Sequence, residues 1–275
     1  MFYLVGLGLG DASDITVKGL DIVKKSKRVY LEAYTSILTV GKEALETFYG
    51  RELILADREM VEECSDELLA DAELDDIAIL VVGDPLGATT HTDLIIRAVE
   101  KNIKYKVIHN ASIMNAIGCC GLQLYNFGAT VSIAFWEETW RPDSFYHKIC
   151  INKKLGMHTL CLLGKHVTKM KILCLGRKTY EAPCFMTVAQ ACQQLMEIIQ
   201  KKQEEGEDLY ETVCIGVARV GSDQQQIIAA TLKQLTAVDM GAPLHSLVVP
   251  GKTHPIETDM LRYFSVTGII LNTAE

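Results

Sequence analysis

Over its first 110 residues the chain alternates between strand-length apolar runs and segments with a helical period. The runs fall at 2–6, 28–33, 53–56, 77–82 and 105–109, with amphipathic segments at 15–26, 40–49, 58–70 and 91–101 between them. Such alternation predicts a parallel sheet, because parallel neighbours need crossover connections and helices supply them. Ser13 or Asp14 is placed to cap the first helix, and Thr92 or the turn before it the fourth. After His109–Gly118 the pattern loosens. Strand candidates at 130–135, 158–163, 211–218, 226–231 and 244–249 are less regularly separated by helices. One long amphipathic helix is expected from Thr187 to Gln203, with Val188, Ala191, Cys192, Leu195, Ile198 and Ile199 on one face. The expected architecture is α/β with two domains, 1–111 around a parallel sheet and 112–275 around a mixed one. A small ligand is expected in the cleft between them.

Composition narrows the class. With 275 residues, 49% apolar and 23% charged, the chain has ample core and no low-complexity tract or internal repeat. Its longest apolar runs, IAILVVG and SLVVPG, are strand-length and far short of a membrane span. FYLVG at the start reads as a first strand rather than a leader. Nine cysteines, an odd number without a leader, point to reduced thiols and a cytoplasmic protein. Cys119 and Cys120 are adjacent, which suits no zinc pair, and no metal site is expected. Cys161, Cys174, Cys192 and Cys214 sit in apolar segments as small core residues.

Charge is uneven. Residues 51–76 hold eleven acids against two arginines, enough to account for the whole net charge of −8. A solvated helix face explains that segment, and the acidic total argues against nucleic-acid binding. Between Lys148 and Tyr180 there is no acid but eight cations, Lys165 and Lys169 among them. This stretch is a candidate docking surface for an anionic partner, against the simpler reading of a scattered solvated face.

In open parallel sheets, ligands bind outside the carboxyl ends of the strands. Behind the first strand stands GLGLGD. A dinucleotide fingerprint wants a third glycine where this chain has Asp11, although Glu32 is placed to serve as the ribose-binding acid. A pyrophosphate is therefore not expected. The other strand ends carry LEAYTS (Leu31–Ser36), GDPLGATTH (Gly83–His91) and HNASI (His109–Ile113). No lysine or arginine lies in GLGLGD or GDPLGATTH, so the pocket is polar and negative. It suits a neutral or cationic nucleoside, such as a sulfonium, better than a phosphate.

The combination of VGLGLGD, VYLEAYTS, GDPLGATTH, HNASIMNAIG, GLQLYNFG and, later, ARVG and APLHSLVVPG resembles the diphthine synthase family, methyltransferases of the tetrapyrrole-methylase fold. The resemblance runs from residue 1 to about 264. It implies binding of S-adenosyl-L-methionine, mostly by backbone groups, with S-adenosyl-L-homocysteine as product. It also implies methylation of the modified histidine of translation elongation factor 2, on the amino group of its 3-carboxy-3-aminopropyl side chain. In the eukaryotic branch a further methyl goes to the carboxylate, giving the methyl ester. Family members are usually homodimers. By position, the cofactor contacts fall on Leu9, Asp84, Gly87, Ser112, Ile113, Leu163, Val220 and His245. The family usually carries an acid where this chain has Gly164, and a PPRYM-like segment where it has Ala182–Met186.

Methyl transfer from a sulfonium needs mainly alignment and exclusion of water. A base to deprotonate an amine is sought in His245 or Glu32, while His109 and His254 read as structural. Three other readings stay open: a methylase of the same fold acting on a small tetrapyrrole, a nicotinamide oxidoreductase, and a non-catalytic binder of the translation factor.

Overall fold

The computed structural model describes residues 1–32, 34, 38, 40–87, 91–166, 171–172, 178–179, 184–202 and 211–265. Part of LEAYTS, ATT of the 88–90 stretch, Lys169, Cys174 and Ala182–Pro183 lie outside the described residues. The chain divides into two compact units. Met1–Ala116 and the short segment Val220–Asp223 form one, and Ile117–Arg219 with the chain from Gln224 onward forms the other.

The first unit is built on β1 (Phe2–Gly6), α1 (Val17–Lys25), β2 (Arg28–Glu32), α2 (Lys42–Tyr49), β3 (Ile54–Ala56), α3 (Arg58–Glu62), α4 (Ser65–Leu69), β4 (Ile77–Val81), α5 (Thr92–Glu100) and β5 (Tyr105–Ile108). All five strands are parallel, in the order β3-β2-β4-β1-β5. Strand periodicity sorts the side chains into two cores. Phe2, Leu4, Ile77, Ile79 and Val81 face the helices α3, α4 and α5, with Val61, Leu68 and Leu94 among their neighbours. Val5, Ala78 and Leu80 face the other way, onto Val23, Leu45 and Tyr49 of α1 and α2. Every residue of IAILV in β4 is buried, as expected of a central strand covered on both faces.

Two local expectations change. Thr16 caps α1, its Oγ1 accepting the Gly19 N–H at 3.0 Å, so neither Ser13 nor Asp14 does. At α5 the cap position is His91, in the turn before Thr92, which is one of the two places expected. The single helix expected over 58–70 is two, broken at Glu63–Cys64. A continuous helix would stack Glu59, Glu63 and Glu67 four residues apart on one face, and like charges at that spacing repel.

The second unit contains β6 (Val131–Ile133), α6 (Ser144–Lys154), β7 (Thr159–Leu163), α7 (Val188–Lys201), β8 (Val213–Ala218), β9 (Gln226–Thr231), β10 (His245–Val249) and α8 (Pro255–Tyr263). Its sheet runs β9-β8-β10-β7-β6 and is mixed: β6 and β7 are parallel, the other pairs antiparallel. Helix α7 lays Val188, Ala191, Cys192, Leu195 and Ile198 on a core that includes Ile149, Cys161, Cys214 and Leu247. Burial pushes the Cys214 thiol up to about 12, which leaves it a neutral apolar filler.

Helices α6 and α8 are absent from the sequence expectations because each buries polar residues. Asn152 of α6 turns inward to bond Ala129 N and O and Thr159 Oγ1. Glu257 and Thr258 of α8 are buried beside Leu261. Such helices carry no continuous apolar stripe for a periodicity argument to detect. Glu257 accepts the N–H groups of Gln123 and His254 and lies 3.2 Å from His158 Nε2. His158 Nδ1 accepts the Gly251 N–H, so its proton is on Nε2 and the buried pair is fully satisfied.

Candidate active site

The chain leaves β1 toward β2 and leaves β4 toward β5, in opposite directions across adjacent strands. At such a switch point the following loops splay apart and open a crevice at the strand ends. The loops after β1, β4 and β5 are brought together there by a close backbone approach at three glycines. Gly8 and Gly83, both at φ +79°, form an antiparallel bridge, with Gly83 N–H donating to Gly8 O at 2.7 Å. At Gly6 an added Cβ would lie 2.7 Å from Gly83 O and 2.8 Å from Asn110 Cβ. Asn110 ties the same three loops, its side-chain Nδ2 donating to Gly6 O at 3.0 Å and Asp14 O at 2.9 Å and its backbone N–H to Asp84 Oδ2 at 3.0 Å.

The GLGLGD loop is closed on itself. Asp14 Oδ2 accepts the Gly10 N–H at 2.7 Å and the Leu9 N–H at 3.2 Å. Asp11 is turned away to Ser13, whose N–H and Oγ hold its carboxyl below the usual carboxylate range. The amides that a phosphate loop would present to its ligand are thus used by a side chain of the loop's own continuation. A phosphate meeting this loop would face Asp14 instead of free N–H groups, which argues against both the dinucleotide and any other phosphate ligand.

Asp84 is the charged centre of the crevice. Oδ1 accepts the Leu86 N–H at 2.9 Å, and Oδ2 accepts the Asn110 N–H at 3.0 Å and bonds His109 Nδ1 at 2.8 Å. Partial burial acts to raise its pKa, but the two backbone donors and His109 outweigh it and hold the carboxyl below the usual range. Asp84 is therefore ionised at neutral pH. Gly87 and Ser112 stand next to it: a Cβ at Gly87 would meet Ser112 Oγ at 2.8 Å and Asp84 Cβ at 3.4 Å. Ser112 is buried, with its N–H on Asn115 Oδ1, and Ile113 opens the single helical turn that follows.

Six of the eight residues matched to the family's cofactor contacts are in this first unit. Asp84, Gly87 and Ser112 are mutual neighbours, with Ile113 adjoining. Leu9 lies against the Val220–Asp223 segment, since a Cβ at Gly221 (φ +87°) would be 2.9 Å from Leu9 Cβ. The other two, Leu163 and His245, are in the second unit. They end β7 and begin β10, side by side across the Leu162–Ser246 pair.

His245 is buried, and both its nitrogens are in use. Nδ1 accepts the Val188 N–H at 3.3 Å, so the proton is on Nε2, which donates to Ala242 O at 3.0 Å. Burial, together with nearby Arg219, lowers its pKa and keeps the ring neutral. Proton transfer by His245, considered from the sequence, finds no free ring atom here. Glu32 is buried at the end of β2, with Oε1 accepting the Tyr34 N–H. His254 caps α8, as its structural reading requires.

Read from the sequence, Asp14 and Asn110 carry no bonding role at the strand ends and His109 is structural, although HNASI is among the loops singled out; in the second unit Arg219 is passed over. Arg219, buried and at φ +49°, donates from Nε to Gln224 O and from Nη1 to Met240 O and Ala242 O, so it ties the turn before His245. Its position in ARVG is visible in the sequence, but two of its three carbonyl partners, Met240 and Ala242, belong to a segment more than twenty residues away. Gly164, at the position of the family's acid, has room for no side chain: a Cβ there would lie 2.8 Å from Ile133 O.

Known proteins resemble this chain in sequence and in fold. A family model described as Tetrapyrrole (Corrin/Porphyrin) Methylases matches residues 1–236. A human diphthine methyl ester synthase is 60% identical over 97% of this chain and 95% of its own length. One from Dictyostelium discoideum is 54% identical over 97% and 98%. A solved structure from Entamoeba histolytica, provisionally a diphthine synthase, superposes with a TM-score of 0.85 at 44% identity, covering 96% of this chain and 98% of that one. A family model over most of the chain and relatives of this identity over its whole length leave one assignment: the chain belongs to the tetrapyrrole methylases, in the branch of the diphthine methyl ester synthases.

Proposed function

We propose that the chain transfers methyl groups from S-adenosyl-L-methionine to the modified histidine of translation elongation factor 2, first on the amino group of its side chain and then on the carboxylate. The supporting observation is the donor set of the crevice. Its glycines admit close backbone approach, its first-loop amides are committed to Asp14, no lysine or arginine is present in GLGLGD or GDPLGATTH, and Asp84 is held ionised. A positively charged nucleoside fits such a set and a phosphate ester does not.

Bound at this crevice, the sulfonium cofactor would supply an electrophilic methyl carbon. Leu9, Gly87, Ser112, Ile113 and Val220 of the first unit would shape its apolar and backbone contacts. Asp84 would supply the opposing charge, or hydrogen-bond acceptors for a ribose. Leu163 and His245, also matched by the resemblance, belong to the second unit, where main-chain partners hold both nitrogens of His245. The same reading includes a cytoplasmic homodimer that leaves S-adenosyl-L-homocysteine as product, supported by cysteine usage and by family resemblance. No described helix is long and apolar enough to cross a membrane.

The test is mass spectrometry of the translation factor carrying the unmethylated side chain, after incubation with labelled cofactor. Three methyl groups on nitrogen and one on the carboxylate are expected. Transfer to a corrinoid or porphyrin precursor, with none to the factor, would overturn the reading.

A further inference from the structure

His109 stands apart from the two bases suggested by the sequence. Both nitrogens of His245 are bonded to main chain, and Glu32 is buried. The His109 side chain is 68% exposed and directly follows β5, one of the strand ends that carry the candidate site. Its Nδ1 is 2.8 Å from an Asp84 carboxylate that also accepts two backbone N–H groups. An ionised carboxylate accepts only, so the neutral ring must carry its proton on Nδ1 and present a lone pair at Nε2. A carboxylate that fixes the tautomer of an imidazole and faces the imidazolium once it forms is the arrangement of a general base. Among the described residues Nε2 has no protein partner.

We propose that His109 Nε2 accepts the protons released during methylation of the amine, with Asp84 as its positioning partner. The inference rests on the substrate reading above. The amine arrives as an ammonium. Its N–H bond breaks, the electron pair stays on nitrogen and the proton passes to His109 Nε2. The nitrogen pair then forms the bond to the methyl carbon as the carbon–sulfur bond breaks, its pair going to sulfur and leaving a thioether. Each of the three amine transfers releases one proton in this way, and the exposed ring returns it to water between turns. The carboxylate is already ionised and needs no acceptor.

That asymmetry makes the test selective. In His109→Gln, amine methylation should fall about 100-fold, the lower end of what a general base contributes. Ester formation should persist on a factor whose amine is already trimethylated, prepared by saponifying the wild-type product. Added imidazole should restore amine transfer in His109→Ala. In the protein without cofactor, nitrogen NMR should find the neutral His109 ring protonated on Nδ1, a preference lost in Asp84→Asn. Amine transfer at the wild-type rate in His109→Gln, equal loss of both transfers, or a ring protonated on Nε2 in the wild type would overturn the proposal. If the wild-type protein methylates neither group, the substrate reading falls instead.

Discussion

A methyl group added at Gly6 would sit 2.7 Å from Gly83 O, 2.8 Å from Asn110 Cβ and 3.0 Å from Pro85 Cδ, so the loops after β4 and β5 both limit one position. Two of those neighbours are backbone or ring atoms that cannot swing aside. Gly6→Ala should therefore destabilise the protein by about 2 kcal/mol, within the usual cost of overpacking, as read from its urea midpoint. Asp84 imposes a different constraint, one of charge. Its pKa is lowered on folding, so the stability it contributes is complete above the ordinary carboxylate pKa. That contribution is lost as the pH falls through the lower, folded value. Asp84→Asn should cost about 1–2 kcal/mol near neutrality, as hydrogen bonds to a charged group are lost. It should also flatten the acid limb of stability against pH, measured by urea unfolding across a pH series. The glycines and Asp84 were legible as candidates because they stand at or just after strand ends. The role of Asp14 was not, since its bonds run backward to Leu9 and Gly10 and no pattern in GLGLGDASD announces them.

Elements were legible in proportion to how apolar their buried faces are. The ten strands of the two main sheets lie within two residues of their expected bounds, and α7 within one or two of its own. Its start is held by a capping box, with Thr187 Oγ1 accepting the Gln190 N–H while the Gln190 side chain accepts the Thr187 N–H. Thr187→Ala should cost about 1 kcal/mol, the usual value of a lost cap, with no change in the slope of urea unfolding. Where a helix buries Asn152 or Glu257 the pattern fails, because the residue's partners come from distant parts of the chain. Gln123 and His158, for example, meet Glu257 from more than ninety residues away. The break at Glu63–Cys64 was hidden for a different reason, as the apolar positions continue across it while the acids do not tolerate a continuous helix.

At the scale of the whole molecule, sequence distance is what the fold removes. The Val220–Asp223 segment belongs to the first unit although its flanks belong to the second, and Gly221 abuts Leu9. A Cβ at Gly221 would meet Leu9 Cβ at 2.9 Å, in a left-handed backbone that side chains rarely adopt. Gly221→Ala should displace the first loop and weaken S-adenosyl-L-methionine binding about tenfold by calorimetry, the equivalent of 1.4 kcal/mol. Ordinary binding would count against Leu9 and Val220 as cofactor contacts.

By itself the sequence determined the α/β class, the parallel and mixed sheets and the loops that stand at the strand ends. These follow from periodicity and punctuation, which are local properties of the chain. Only the tertiary structure decided which groups at those ends remain chemically available. Asp14 takes up the loop amides, Val188 and Ala242 take up both nitrogens of His245, and Asp84 leaves one nitrogen of His109 open. Each of those outcomes depends on a hydrogen-bond partner brought close by folding, and hydrogen-bond satisfaction is a property of neighbours in space.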